Sequence, residues 1–487
     1  MTAPDDLDAV VRRFWAAAAA DDHSAMHRFL CTDITCVAGP GVLHGVADTL
    51  RSGALTHAIG SLIDVHTWSC GIDLGSALVV YDVPEGGRAV QSQVWRRHDA
   101  TWRLVTVHTS TPRRGFDSTV WRVVGDPLIE AAAPGPLTGT TVAVKDVFAV
   151  AGFPTGGGVP AYERSVPAAT EHSAAVARLL NSGAHIRGIA RTDQFAYSMA
   201  GDNQHYGTPP NAAVPAALPG GSSSGPASAV AHGDADLGLA TDTAGSIRTP
   251  ASYQGLWGLR STHGSISTRG LLALAPDFDT IGLLSRDPDL LALATTTLLD
   301  APSTTDIGSG MPTLDDLDID DGELARLAEA FRVHQAFQAW SVHGDWITAH
   351  PGALEGSAAA RFAVAAAIDA DDDARARDEL AALTAQFDEQ LGDDVLDIPA
   401  AATAAPRRWA SDAEVEKTRT ATLQLTAIAA ATGRPAVTFP DRETSDGPIG
   451  RSLVGPRGSD TALIARAIEL ASASPAATPD QGGFSRC

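Results

Sequence analysis

Hydrophobic and polar positions change period along this chain, and the changes divide it. Residues 7–20, LDAVVRRFWAAAAA, place apolar side chains at helical spacing behind an acidic start, which predicts a helix. A strand is predicted at Ile34–Val37 and a helix around Val46–Leu55. Four runs then alternate with a period of two: Leu62–Cys70, Ala77–Val83, Ala89–His98 and Trp102–Ser110. Such alternation marks half-buried strands, and turns at PEGG and HDAT separate the later pairs. Residues 1–113 therefore read as a small α+β domain, an antiparallel sheet with helices on one face. Residues 114–138 read as a linker with one short helix, Pro127–Ala133, ended by APGP.

Beyond the linker the order becomes β-α-β. A strand at Thr140–Phe148 precedes a helix at His172–Ser182, stopped by Gly183, and a strand at His185–Ala190. This alternation predicts a sheet covered by helices, so residues 139–474 read as an α/β domain. Residues 301–321 are polar and acidic and read as a loop. Helices are predicted at Gly322–Trp340 and Ser357–Gln390, with Ser357 as the N-cap of the second. Asp394–Pro399, Pro435–Pro440 and Arg451–Val454 are strands that return to the sheet. Residues 475–487 read as a disordered tail.

Composition narrows the partners. The 487 residues carry a formal net charge of −23, which disfavours nucleic acid and anionic membrane surfaces. No run of 18 apolar residues spans a membrane, and the acidic N-terminus lacks the apolar core of a signal peptide. Cys31, Cys36, Cys70 and Cys487 show no CxxC spacing and read as reduced thiols, so a cytoplasmic location is expected. The 15 histidines show no HExxH or paired-ligand spacing, and neither a metal nor an organic cofactor is expected.

The candidate chemistry lies in Leu218–Pro250, LPGGSSSGPASAVAHGDADLGLATDTAGSIRTP. Two glycine-containing turns, bearing Ser222 and Ser246, flank a small-residue helix at Pro226–His232 and an apolar run at Leu237–Ala240. Small residues let backbones pack closely and Gly admits dihedrals closed to other residues, so the two serines can be held together on rigid turns. The chain has two lysines against 33 arginines. Lys417 sits in a polar helical segment, whereas Lys145 ends the apolar strand pattern TTVAVKDVF. A lysine can lose its proton when desolvated and an arginine effectively cannot, which makes Lys145 a candidate base; a surface lysine at a strand end is the alternative.

Over roughly Asp126 to Ser474 these residues resemble the amidase signature hydrolases. GGSSSG at 220–225, TDTAGSIRTPAS at 241–252 and VAVKD at 142–146 are close to that family's core signature and lysine strand, and the 24-residue separation of the serines agrees. The resemblance implies Ser246 as the acylated nucleophile, Ser222 as the bridging serine after a cis peptide, and Lys145 as the base. It further implies an oxyanion hole of N–H groups from Thr243, Ala244, Gly245 and Ser246. The expected reaction is cleavage of a carboxamide to acid and ammonia through an acyl-Ser246 intermediate. The chain departs from the family at Ala244, where Gly is usual, and a positive φ there would strain the turn by about 1 kcal/mol.

Three further segments enter the reading. DQFAYSMAGDNQHYGTPPN, 193–211, resembles the loop of plant-type indoleacetamide amidohydrolases and their bacterial relatives; His205 and Tyr206 in it either touch substrate or pack the loop. Asp242 and Arg248 are expected to form a supporting ion pair, and Asp277 with Asp279 either orders a turn or works as an acid–base pair. RAVQSQVWRRHDATWRLVTVHTS in the first domain resembles the AtzH-like, nuclear-transport-factor-like cone, in which His108, Gln93 and Trp95 line a pocket or pack a core; a homodimer is the assembly such a cone admits. Among substrates, aryl amides are suggested by the first resemblance and carboxylated ureas by the second.

Two other readings compete. GSSSG at 221–225 matches the nucleophile elbow of α/β-hydrolases centred on Ser223, but AALPGG before it breaks the strand that motif requires. A non-catalytic binding or assembly protein on the same fold is the other, although Lys145, Ser222 and Ser246 are all present.

Overall fold

The computed structural model describes residues 6–38, 41–51, 55, 62–82, 88–98, 101–110 and 117–473. The chain divides into two compact units, Met1–Gly115 and Phe116–Cys487. The expected tail at 475–487 and the first residues of the expected linker lie outside the described residues.

The first unit is one six-stranded sheet: β1 (Leu30–Ala38), β2 (Gly41–His44), β3 (Leu62–Ser69), β4 (Leu74–Asp82), β5 (Arg88–His98) and β6 (Thr101–Ser110), in the order β2-β1-β6-β5-β4-β3. The four alternating runs are the antiparallel set β3 to β6, while β1 joins β6 in parallel and pairs with the unforeseen β2. Helix Leu7–Ala19 buries Val10, Val11, Phe14 and Trp15 on the sheet, and Phe14 meets the Trp95 ring edge-on at 5.7 Å. Gln93 and Trp95 are buried and bonded in series, Trp95 Nε1 to Gln93 Oε1 (2.9 Å) and Gln93 Nε2 to Gln91 Oε1 (2.6 Å). They satisfy each other as a core does. His108 is exposed.

The second unit holds a nine-stranded mixed sheet covered by helices. Its strands are β7 (Trp121–Ile129), β8 (Thr141–Lys145), β9 (His185–Ala190), β10 (Leu237–Asp242), β11 (Trp257–Arg260), β12 (Thr280–Ser285), β13 (Leu396–Pro399), β14 (Ala436–Thr444) and β15 (Gly447–Val454). They lie in the order β13-β15-β14-β11-β12-β10-β8-β9-β7. β8 pairs in parallel with both β9 and β10, and the remaining pairs are antiparallel. Both faces of the central strands are covered. Leu237 and Leu239 of β10 enter one apolar cluster, whereas Ala240 faces the other side against Ala227 and Val230 of helix Ser224–Ala231. Burial on both faces accounts for the continuous apolar runs in these strands.

Two expectations fail here. The helix at Pro127–Ala133 is absent. Residues 121–129 instead form edge strand β7 against β9, because Trp121, Val123 and Val124 are apolar enough to extend the sheet. The single helix Ser357–Gln390 is two, Gly356–Ala365 and Ala370–Leu391. Asp369 breaks it, because its carboxylate accepts from the N–H groups of Asp371 and Asp372 and starts a new helix. Ser357 is not the cap; its hydroxyl accepts from Arg361 Nη1 (3.2 Å).

Candidate active site

The adjacent parallel strands β8 and β10 end side by side, and each delivers one polar side chain into the buried centre. Lys145 closes β8 and is fully buried, and Thr241 lies near the end of β10. Lys145 Nζ is 2.9 Å from Thr241 Oγ1 and 2.9 Å from Ser222 Oγ. Ser222 Oγ is in turn 3.0 Å from Ser246 Oγ. An unbroken chain of three hydrogen-bonded side chains therefore joins Lys145 to Ser246.

The Ser222 turn requires its glycines. Gly220 has φ of +77°, the Gly221–Ser222 peptide is cis, and a Cβ on Gly221 would stand 2.4 Å from Asp193 Oδ2. Asp193 itself accepts from Gly201 N (3.1 Å) and Ser224 Oγ (3.2 Å), fixing the loop that carries Ser222. Thr192 Oγ1 donates to the Ser222 carbonyl (2.8 Å).

The Ser246 turn is built around Asp242. Its carboxylate accepts from the N–H groups of Gly245 (2.9 Å), Ile247 (3.1 Å) and Arg248 (3.3 Å), and from the Arg248 fork at 2.8 and 3.0 Å. Arg260 approaches the same carboxylate at 3.2 Å, and all three side chains are buried. Burial pushes the Asp242 carboxyl up, but the two guanidiniums overcome it and hold the group well below the ordinary carboxylate range. Asp279 ties the neighbouring residue, accepting from Thr243 Oγ1 (2.6 Å) and from the N–H groups of Leu274 and Ala275. Thr426 closes the turn from helix Asp412–Thr432, donating to the Ala244 carbonyl (2.7 Å).

This geometry revises the expected oxyanion donors. Gly245 N–H is taken by Asp242, because the tight turn wraps its amide onto the carboxylate, and Thr243, Ala244 and Ser246 are left as candidates. The positive φ falls on Gly245 (+117°) and not on Ala244, so the strain expected at Ala244 does not arise.

Burial lowers the Lys145 ammonium to about 7, against the carboxylates of Asp193, Asp242 and Asp279, which pull it upward. A lysine near 7 is half neutral at neutral pH and can act as a proton acceptor.

The other predicted residues are accounted for. Ser223 Oγ donates to the Thr241 carbonyl (3.2 Å), and no strand leads directly into it, residues 208–220 being irregular. His205 bonds the Ala353 carbonyl (3.2 Å), and Tyr206 lies under the Arg191 guanidinium at 3.4 Å, so both pack the loop. Asp277 turns away from Asp279 to meet His334 (3.0 Å). Thr241, Asp193, Arg260 and Thr426 were missed from sequence. Thr241 had a signal, since it shares its segment with Ser246; Thr426 had none, being 182 residues from the carbonyl it holds. Among the described residues no cluster of three His, Cys, Asp or Glu side chains is arranged to hold a metal, and no helix is long and apolar enough to cross a membrane.

Comparison with known proteins gives a consistent picture. Residues 126–309 match the Amidase family model. Amidase 1 of Arabidopsis thaliana is 45% identical over 172 residues, 35% of this chain and 40% of that protein. Outer envelope protein 64, chloroplastic, of the same plant is 42% identical over 173 residues, 36% of this chain and 29% of that protein. The chain thus spans well under half the length of these curated relatives. A solved structure described as the crystal structure of an amidase superposes with a TM-score of 0.62 at 26% identity, covering 69% of this chain and 85% of that one.

Proposed function

We propose, for a chain whose residues 126–309 match the Amidase family model, that it hydrolyses a carboxamide: R–CO–NH₂ plus water gives R–COOH plus NH₃. Lys145 is the base, Ser222 the relay and Ser246 the nucleophile. With Lys145 neutral, its lone pair accepts the Ser222 proton while Ser222 accepts that of Ser246. Ser246 Oγ then attacks the carbonyl carbon, and the charge on oxygen is met by N–H groups of Thr243, Ala244 and Ser246, each worth about 3 kcal/mol of barrier. The relay returns its proton to the leaving nitrogen, ammonia departs, and water attacks the acyl-serine by the same route.

The observation that carries this reading is the continuous chain Lys145 Nζ–Ser222 Oγ–Ser246 Oγ, with links of 2.9 and 3.0 Å and a lysine lowered to about 7 by burial. Residues 1–113, within the first unit, are read as an AtzH-like accessory domain, and the protein as cytoplasmic and free of metal and organic cofactor. Treatment with a fluorophosphonate followed by peptide mass spectrometry tests the assignment. An adduct on Ser246, abolished in Lys145→Ala, is expected. An adduct on Ser223 would favour the elbow reading, and an unlabelled, inactive protein would favour a binding or assembly role.

A further inference from the structure

A cavity of about 1100 Å³ opens in the second unit. It is bounded by Tyr197, Ala200 and Leu218 on one side and by helices Asp321–Ala349, Gly356–Ala365 and Asp412–Thr432 on the other. None of Lys145, Ser222 and Ser246 lines it. Ala200, Leu218 and Arg419 also bound a narrow gap that includes Met199 and Thr249. Met199 lies against both serine turns: its carbonyl accepts from Gly221 N (2.9 Å), and a Cβ on Gly245 would stand 3.1 Å from its Cε. The gap, of about 20 Å³, links the wall of the cavity to residues packed on both serine turns.

The charges in that cavity are unevenly matched. Arg361 and Arg419 share one carboxylate, with Arg361 Nη2 at 3.3 Å and Arg419 Nη1 at 2.9 Å from Glu416. The two guanidinium side chains are 14% and 11% exposed, while Glu416 is 51% exposed. Arg419 Nε is out of contact with solvent and has no hydrogen-bond partner among the described residues. Burial lowers the Arg419 guanidinium, and the charge of Arg361 lowers it further. Arg332, on the facing helix, is already held in a fork by Glu329 at 2.6 and 2.7 Å. Two largely desolvated cations with one half-solvated anion between them favour a second anion, and a guanidinium matches a carboxylate in shape and donor spacing. Asp202 also faces Arg361, but burial raises its carboxyl to about 6 and so weakens its charge; together with Asp412 it disfavours a dianion.

We propose that the cavity receives the end of the substrate remote from the amide, and that this end carries a carboxylate held by Arg361 and Arg419. The inference rests on Ser246 as the nucleophile, since it assigns the cavity to the same substrate. The test pairs two amides of nearly equal shape, 4-carboxyphenylacetamide and 4-methylphenylacetamide. In the native protein kcat/KM is expected to favour the carboxylate by tenfold or more; equal values overturn the inference. Arg419→Gln and Arg361→Gln should each reduce that ratio severalfold, and Arg419→Lys should restore part of it. If Arg419→Gln does not fold, as thermal denaturation will report, Arg361→Gln decides. A ratio unchanged in a folded variant also overturns the inference. If neither amide is hydrolysed, the catalytic reading fails first. Titration calorimetry of both amides on Ser246→Ala then decides separately: tighter binding of the carboxylate supports the anion site, and equal or absent binding overturns it.

Discussion

With Lys145 as the proposed base, activity should follow its ionisation, and the dependence can be worked out beforehand. The ammonium falls from 10.5 to about 7 on burial, a difference of about 5 kcal/mol between its two protonation states. Only the neutral amine accepts the Ser222 proton. Activity should therefore be low in acid, rise with unit slope in log(kcat/KM) as the ammonium deprotonates, and level off above about pH 8. At pH 5 about 1% of the lysine is neutral, so kcat/KM should lie about 100-fold below the plateau. A lysine at its solution value would give a different curve, climbing tenfold per unit to pH 9 and beyond. The assay is the release of acid product, followed chromatographically from pH 5 to 10 and corrected by returning each sample to pH 8 to confirm reversibility. Lys145→Arg supplies the control, since a guanidinium keeps its proton throughout the range, and that variant should be inactive at every pH. A curve flat from pH 5, or one still climbing with unit slope at pH 9.5, would refute the reasoning, provided single-turnover acylation shows chemistry to be limiting.

Three other outcomes are expected. In the proposed relay Lys145 and Ser222 act as one unit, so the Lys145→Ala, Ser222→Ala double variant should be little slower than Lys145→Ala alone, measured as kcat/KM for one amide. Asp242→Asn leaves Arg248 and Arg260 buried with their shared charge unmet and should cost about 3–5 kcal/mol, read from the shift in a urea denaturation midpoint. Residues 117–487 alone should fold and hydrolyse a simple amide, because β7 and every residue of the candidate triad lie within them; a soluble, monodisperse but inert fragment would show that the first unit supplies part of the site.

Much of the site could be read from the chain because its chemistry is local. Ser222 and Ser246 lie on turns whose glycines announce themselves, and a lysine stands out where nearly every other cation is arginine. The strands near 141–145, 185–190 and 237–242 and the helices near 174–181 and 224–231 were legible from apolar runs and small residues, whereas helices Pro160–Ser165 and Arg248–Gln254 and strand β11 were not foreseen. The errors fell where tertiary context decides. Trp121–Ile129 carries both a proline and enough apolar residues to extend the sheet, and only the presence of β9 selects the strand. The break at Asp369 is a choice between continuing a helix and capping a new one, and both are compatible with the same polar sequence. The withdrawal of Gly245 from the oxyanion donors depends on where a carboxylate three residues earlier points, which no pattern of residue types states. The contact of Thr426 with Ala244 depends on the path of a helix far along the chain.

The placement of Lys145 and Thr241 on neighbouring central strands has a further consequence for how the molecule would lose activity. Strands covered on both faces open to solvent only when most of the unit opens, and their amides exchange with deuterium at rates set by global unfolding. β8 and β10 are of that kind, and the two serine turns are fastened to them, Ser222 by Lys145, Ser223 by the Thr241 carbonyl and the Ser246 turn by Asp242. Local fraying should leave the proton relay intact, so on heating, activity and the slowest-exchanging amides of the second unit should disappear in one transition. Of the helices that bound the Arg361–Arg419 cavity, Asp412–Thr432 holds the Ser246 turn through Thr426, whereas Gly356–Ala365, which carries Arg361, lies outside the sheet; loosening of that helix should lower substrate selectivity before turnover declines.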